Sequence, residues 1–456
     1  MDEHLQTYLS DNDDRVINEL IDFLRIPSVS TDPDHKADVR RAAEFARSLL
    51  EKAGMQNAHL IEGEGNPLVY GEWTGAKGKP TLLLYGHYDV QPADPLEEWT
   101  SPPFEPQIRN NNIYARGAVD DKGQTLILIK AVDALMKQHG KLPVNVKFLL
   151  EGEEEVGGEH IEAYVRSKPA LIKSDAAVIC DTEMFAPEMP TICTGLRGIV
   201  YGEIHVQGAR QDLHSGVYGG AAPNAMQAIA EIITKLKDAE GRIHIPGFYD
   251  RVQKPSQKEY DAWSHLPFDE NEYLEKEIGS VALTGEPGLN VFERTWARPT
   301  FEVHGIRGGF IGEGAKTVIP ARAVAKISTR LVADQRPEEV VEQIRAAVKA
   351  ATPKGVTAEF KLIHSAAPSL VKTDNRFIEQ SAEAMKQVFG RETVYIRSGG
   401  SIPIVGTFEE FLGIPSVMMG FGLPDDNLHA PNEKFHLPNF YRGIEAVARY
   451  FELLGA

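Results

Sequence analysis

The chain has 456 residues, 42% of them hydrophobic and 25% charged, with a formal net charge of -18. This length exceeds one ordinary core and predicts two domains with a large buried sheet, while the acidity excludes a phosphate-binding basic face, hence a nucleic-acid partner. No run approaches the roughly 18 apolar residues of a membrane span.

The opening, "MDEHLQTYLSDNDDRVINELIDFL", is acidic and amphipathic, unlike a cleaved secretory signal. The two cysteines, Cys180 and Cys193, are too few for a disulfide framework and read as reduced, buried residues. Both features lead us to expect a cytoplasmic protein.

Residues 38–55, "DVRRAAEFARSLLEKAGM", have apolar positions at helical spacing and a glycine stop at Gly54, which predicts a helix. Two strands follow, "PLVYGEW" and "PTLLLYGH", then a helix over "GQTLILIKAVDALMKQHG", a strand "LPVNVKFLLEGEEE" and a short apolar run "DAAVICDTE". Continuous apolar strands alternating with helices predict an α/β fold, a mixed sheet with helices on both faces. Ligand sites in such sheets gather beyond the carboxyl ends of strands. Three of these runs end in candidate ligands, at His87, at Glu151 to Glu155 and at Asp181.

Beyond Gly195 the texture changes. "GIVYGEIHVQGA" alternates like a half-exposed strand, and "PNAMQAIAEIITKLKD" is a helix with Pro223 at its start. After a loop-rich stretch come strands "RPTFEVHGI", "AVAKISTRLV" and "VTAEFKLI", with the helix "PEEVVEQIRAAVKAA" between the last two. This pattern predicts an α+β layer, one open-faced sheet backed by helices. From about Ala367 the first texture returns, with "NRFIEQSAEAMKQVFG", "IPSVMMG" and "NFYRGIEAVARYFELL". The predicted organisation is one α/β domain, residues 1–196 and 367–456, interrupted by an inserted α+β domain, 197–366.

Five runs carry the chemistry. "GHYDVQP" ends a strand in His87 and Asp89; "ARGAVDDKG" places Asp120 and Asp121 before a helix; "EGEEEVGG" offers Glu153, Glu154 and Glu155; "CDTE" offers Asp181; "HAPNEK" offers His429. Taken singly, each has a plain structural explanation: a helix cap, a solvated acidic run, a surface histidine. Taken together, two imidazoles and several carboxylates suit a pair of divalent cations bridged by one carboxylate. Adjacent glutamates let one bind metal while its neighbour remains a general base.

In order and in content these five runs resemble the motif set of the M20 family of zinc metallopeptidases, closest to the cytosolic non-specific dipeptidase and carnosinase branch. The resemblance implies that Asp120 bridges two metals, with His87 and Asp181 completing one site and Glu155 and His429 the other. It makes Glu154 the general base and Asp89 the carboxylate that orients the His87 imidazole, and it places a cis peptide between Asp120 and Asp121. "DLHSGVYGG" is similar to the family's lid motif, which implies a homodimer in which His214 stabilises the tetrahedral intermediate in the partner's active site. Arg330 in "AKISTRLV" resembles the arginine that grips the substrate's terminal carboxylate. Thr317, His364, Arg397 and Ser401 match substrate-facing segments of the same branch.

The implied activity is hydrolysis of dipeptides or short peptides with a free C-terminal carboxylate. The implied cofactors are two divalent ions, zinc foremost and manganese or cobalt as alternatives. Two departures bear on this. Glu153 adds a third acid to the glutamate run, so the order of base and ligand rests on counting back from the glycines. "HSAAPSL" after His364 differs from the glycine-rich form of carnosine-cleaving members, which argues against β-alanyl substrates. An N-acyl-amino-acid deacylase or desuccinylase on the same scaffold is the alternative, and a catalytically idle binding protein the second.

Overall fold

The computed structural model describes residues 3–456. Two compact units emerge. The first runs to Thr194 and takes up Val371–Ile396 and Ile402–Ala456; the second is Gly195–Leu370 with Arg397–Ser401. The second unit thus gathers Arg397–Ser401, expected in the first, because Arg397 is bonded to Glu259 and Ser401 to Arg197 and Arg330.

The first unit is the expected α/β fold around a mixed sheet. Its strands lie in the order Gln56–Ile61, Leu68–Trp73, Asn145–Glu151, Thr81–His87, Ala176–Ile179, Ser416–Met419 and Thr191–Leu196. The central strands pair in parallel: Thr81–His87 lies between Asn145–Glu151 and Ala176–Ile179, and Ser416–Met419 follows. Residues on alternate faces are equally buried, Leu82 and Leu84 on one side, Leu83 and Tyr85 on the other, as the unbroken apolar runs require. The helix Lys122–His139 is apolar around its circumference because the strand Thr81–His87 and the helix Leu437–Gly455 both pack on it. It ends at Gly140 in the left-handed conformation. Parallel pairing brings the carboxyl ends of the central strands to one edge, with His87 directly opposite Glu151.

The second unit is a four-stranded antiparallel sheet in the order Glu302–Gly308, Arg322–Leu331, Gly198–Gln207, Thr357–Ala366. The helices Ala225–Leu236 and Pro337–Ala351 cover one face, meeting Val200, Ile204, Ala325 and Ile327 in a separate core. Strand Gly198–Gln207 alternates buried and half-buried residues over its whole length, as its sequence pattern predicts. Among the described residues no helix is long and apolar enough to cross a membrane.

Candidate metal centre

Gly86 lets the strand Thr81–His87 close on the helix behind it, since a Cβ there would lie 2.0 Å from Thr125 Oγ1. The next residue, His87, is wholly buried. Its Nε2 lies 3.1 Å from Asp120 Oδ1 and 4.0 Å from Asp181 Oδ1. Its Nδ1 faces Asp89, 3.1 Å from the carbonyl oxygen and 3.4 Å from Oδ1. Asp120 Oδ2 lies 2.9 Å from His429 Nε2, which is 3.5 Å from Glu155 Oε2. Two groups result, His87 with Asp120 and Asp181, and Asp120 with Glu155 and His429, each with its donor atoms within 4.8 Å of one another.

The supports are mostly backbone amides. Asp89 accepts from the amides of Glu154 and Glu155 at 3.3 and 3.2 Å, so one carboxylate aligns both the imidazole and the glutamate turn. Glu153 turns away and accepts from the Asn66 amide at 2.8 Å, which separates it from Glu154 and Glu155. Asp121 follows a cis peptide and accepts from the His87 amide at 3.0 Å and the Thr125 hydroxyl at 2.7 Å. His429 has left-handed backbone geometry (φ 58°), as do Asn427 and Asn432 in the same loop.

Two residues inside the quoted runs were given no role by the sequence reading. Glu433 is wholly buried and accepts from the amides of Gly117, Val119 and Asp120 and from Arg116 Nη1 at 2.7 Å. It fixes the loop that presents Asp120. Lys122, also buried, donates to the carbonyls of Phe23 and Ile26; burial pushes its pKa down to about 7.

Electrostatics tests whether cations fit. Burial opposes the charge of Asp120, yet hydrogen bonds from His429 and His87 hold it below the usual carboxylate range. Burial, with the charges of neighbouring carboxylates added, pushes Glu155 up to about 7 and Glu154 and Asp181 well above their ordinary values. At His87 burial works against the imidazolium, but Asp120 and Asp89 raise its pKa well above the ordinary value. Glu155 Oε1 is buried with no partner among the described residues. Packed acids of this kind repel one another unless protons or cations intervene. Imidazole and carboxylate donors in two sets sharing Asp120 suit divalent ions, and the residues fit the metals the motifs imply.

In the second unit, His214 ends the strand Leu213–His214, which pairs with Val318–Ile319, and the Ser215 amide bonds the Thr317 carbonyl at 3.1 Å. His214 and Thr317 are therefore neighbours, and both are exposed. Arg330 donates from Nη1 to Ser401 Oγ at 2.8 Å. His364 stacks on Tyr201 with centroids 5.6 Å apart, and Tyr201 stacks in turn on His304; burial and the Arg330 charge push His364 down. Arg397, also expected to face the substrate, is engaged inside the unit. It is buried, donates through Nε and Nη2 to Glu259 Oε1, and lies over the Trp263 ring, so its charge is already satisfied inside the unit.

Comparison with known proteins places the chain in a family. The model of Peptidase family M20/M25/M40 matches residues 83–453. The chain is 32% identical to the Cys-Gly metallodipeptidase dug1 of Schizosaccharomyces pombe, over 97% of this chain and 96% of that one. It is 30% identical to the Homo sapiens Beta-Ala-His dipeptidase, over 98% and 92%. It also superposes on the M20 family metallo-carboxypeptidase Sso-CP2 from Sulfolobus solfataricus with a TM-score of 0.86 at 32% identity, covering all of both chains.

Proposed function

Because the chain belongs to peptidase family M20/M25/M40, we propose that it is a metal-dependent dipeptidase, cleaving dipeptides or short peptides with a free C-terminal carboxylate. The observation that carries this reading is the pair of histidine–carboxylate groups joined through Asp120, with Glu154 close enough for His87, Glu155 and Asp120 to influence its charge. Two dipeptidases among its relatives support the substrate class.

His87, Asp120 and Asp181 would hold one divalent cation, and Asp120, Glu155 and His429 the other. Zinc is the first choice for such donors, manganese or cobalt the alternatives. Cations held there would polarise the scissile carbonyl and bring the pKa of water toward about 7. Glu154, whose carboxyl group has no hydrogen-bond partner among the described residues, takes the proton of the attacking water and returns it to the leaving amine. Asp89 keeps the glutamate turn and the His87 ring in place. Arg330, seated on Ser401, takes the substrate's terminal carboxylate, and Thr317 and His364 line the same end of the substrate.

His214 supplies the donor to the developing oxyanion in the active site of a partner subunit, so the working form is a homodimer. The exposure of His214 and of the solvent-facing strand Glu302–Gly308 supports this. Two buried cysteines outside any disulfide, Cys180 and Cys193, accord with a cytoplasmic location.

The test is hydrolysis by chelator-treated protein before and after adding back zinc or manganese. Restored cleavage of Ala-Ala and Cys-Gly, with N-acetyl-methionine and N-succinyl-diaminopimelate left intact, is the expected result. Turnover of the acylated compounds alone would replace this reading with a deacylase, and no turnover of any substrate would leave a binding protein. The likeness to a metallo-carboxypeptidase favours one second reading, release of C-terminal residues from longer peptides, which the same assay detects with a tetrapeptide.

A further inference from the structure

Glu151 is a buried carboxyl group that the hydrolytic reading does not use. It ends the strand Asn145–Glu151 and is 1% exposed. Tyr85, wholly buried in the adjacent strand, donates its hydroxyl to Glu151 Oε1 at 2.7 Å. The second oxygen, Oε2, is buried and has no partner among the described residues. It points toward Gly158, where a Cβ would come within 3.1 Å of it. A small cavity lies on this side, bounded by Glu151, Glu154, Gly158, Ile161 and Thr407 among others. The centre of a water molecule can occupy only about 10 Å³ of it, close to the least volume that holds one buried water.

One cavity is therefore bounded both by Glu151, whose Oε2 has no partner among the described residues, and by the glutamate read as the general base. A base needs one oxygen free for the proton it takes, and its other oxygen needs a partner to hold the side chain in one orientation. Among the described residues Glu154 has a backbone anchor, its amide on Asp89, and no partner for its carboxyl group. We propose that Glu151 is a positioning residue for the base: through one water in this cavity, its Oε2 holds the Glu154 carboxylate in the orientation from which it takes a proton. The chain Tyr85, Glu151, water, Glu154 runs from the sheet interior to the metal centre, and each link is a hydrogen bond of ordinary type. The absence of a side chain at Gly158 keeps the cavity open.

This inference rests on Glu154 being the base, and the experiment separates the two claims. Hydrolysis of Ala-Ala is measured for full-length, metal-loaded E151A, E151Q, G158A and E154Q, with metal content and thermal stability of each. E151A is expected to lower kcat about tenfold to a hundredfold, as loss of orientation does, with KM and metal content unchanged. E151Q keeps an acceptor for Tyr85 and a donor for the water, and is expected to recover most of that loss. G158A, whose methyl group fills the space beside Oε2, is expected to lower kcat with both carboxyl groups in place. A crystal structure should show one ordered water within hydrogen-bond distance of Glu151 and Glu154, a readout that holds even if E151A fails to fold. E151A at full kcat, E151Q as slow as E151A, or no water between the two side chains would each overturn the proposal. E154Q at full turnover would instead remove the base assignment itself.

Discussion

In the first unit His87 is buried at a strand end with both ring nitrogens facing oxygens of Asp89, Asp120 or Asp181, whereas in the second His214 is exposed and its Nδ1 accepts from the Gly216 amide two residues on. The same contrast separates the carboxylates from the residues proposed to face substrate. Asp120 is positioned by a loop whose amides converge on Glu433, while Thr317 lies on the surface. The difference follows from the work each set does. Asp120 is buried, Asp181 and Glu155 are half-buried and His429 is exposed; acids grouped to bind cations are held in place because the ligand's charge offsets their desolvation only at short range. Residues that meet a substrate must remain reachable, and they become ordered when it arrives.

The largest effect is expected where the grouped acids meet the reaction. Glu154→Gln should lower kcat by about 10²–10⁴-fold, the range for loss of a general base, and leave metal content intact. Metal loss with that variant would mean that Glu154 and Glu155 have exchanged roles. Glu433→Ala comes next. It strands the Arg116 charge in the interior and leaves three amides without their acceptor, a loss of about 3–5 kcal/mol measurable by urea unfolding. Weaker metal retention should accompany it, and an unchanged unfolding midpoint would break the account of a rigid cluster. His214→Ala should differ in kind, with kcat falling about a hundredfold as when one oxyanion donor is removed, and the thermal midpoint and metal content staying at their original values. A large fall in stability would show that His214 is structural, and the contrast between the units would fail there.

The same physics decides how much was legible. His87, Asp181 and the glutamates stand where apolar strands stop, and a charge immediately after a buried run is visible in any sequence. The inserted unit was legible as a fold, since Gly198–Gln207 alternates at strict period two. Glu433 was not legible in its role, although it lies inside "HAPNEK", because a carboxylate that gathers backbone amides has no spacing to betray it. Its neighbours Gly117, Val119 and Asp120 are more than 300 positions away, at separations of 316, 314 and 313. The partner of Arg397 was not legible for the converse reason. A guanidinium in "RSGGS" looks reachable, and its partner Glu259 is 138 residues distant.

Arg330 and Arg397 bring the contrast inside the second unit, and they are the finest test of it. Arg330 is half-buried with one nitrogen on Ser401 Oγ, so much of its fork is free to hold a carboxylate. Arg330→Met should raise KM about tenfold to a hundredfold, the value of a charge-assisted bond of about 1.5–3 kcal/mol, while stability changes little. Arg397→Met should do the opposite, because Glu259 loses its partner and Trp263 its covering cation. The expected loss is about 1–3 kcal/mol of stability with KM for Ala-Ala unchanged. If Arg397→Met raised KM and left the unfolding midpoint alone, the ion pair with Glu259 would be a resting contact that substrate displaces. Two arginines of one unit would then both serve the substrate, and burial would cease to distinguish the residues that build the molecule from those that meet its ligand.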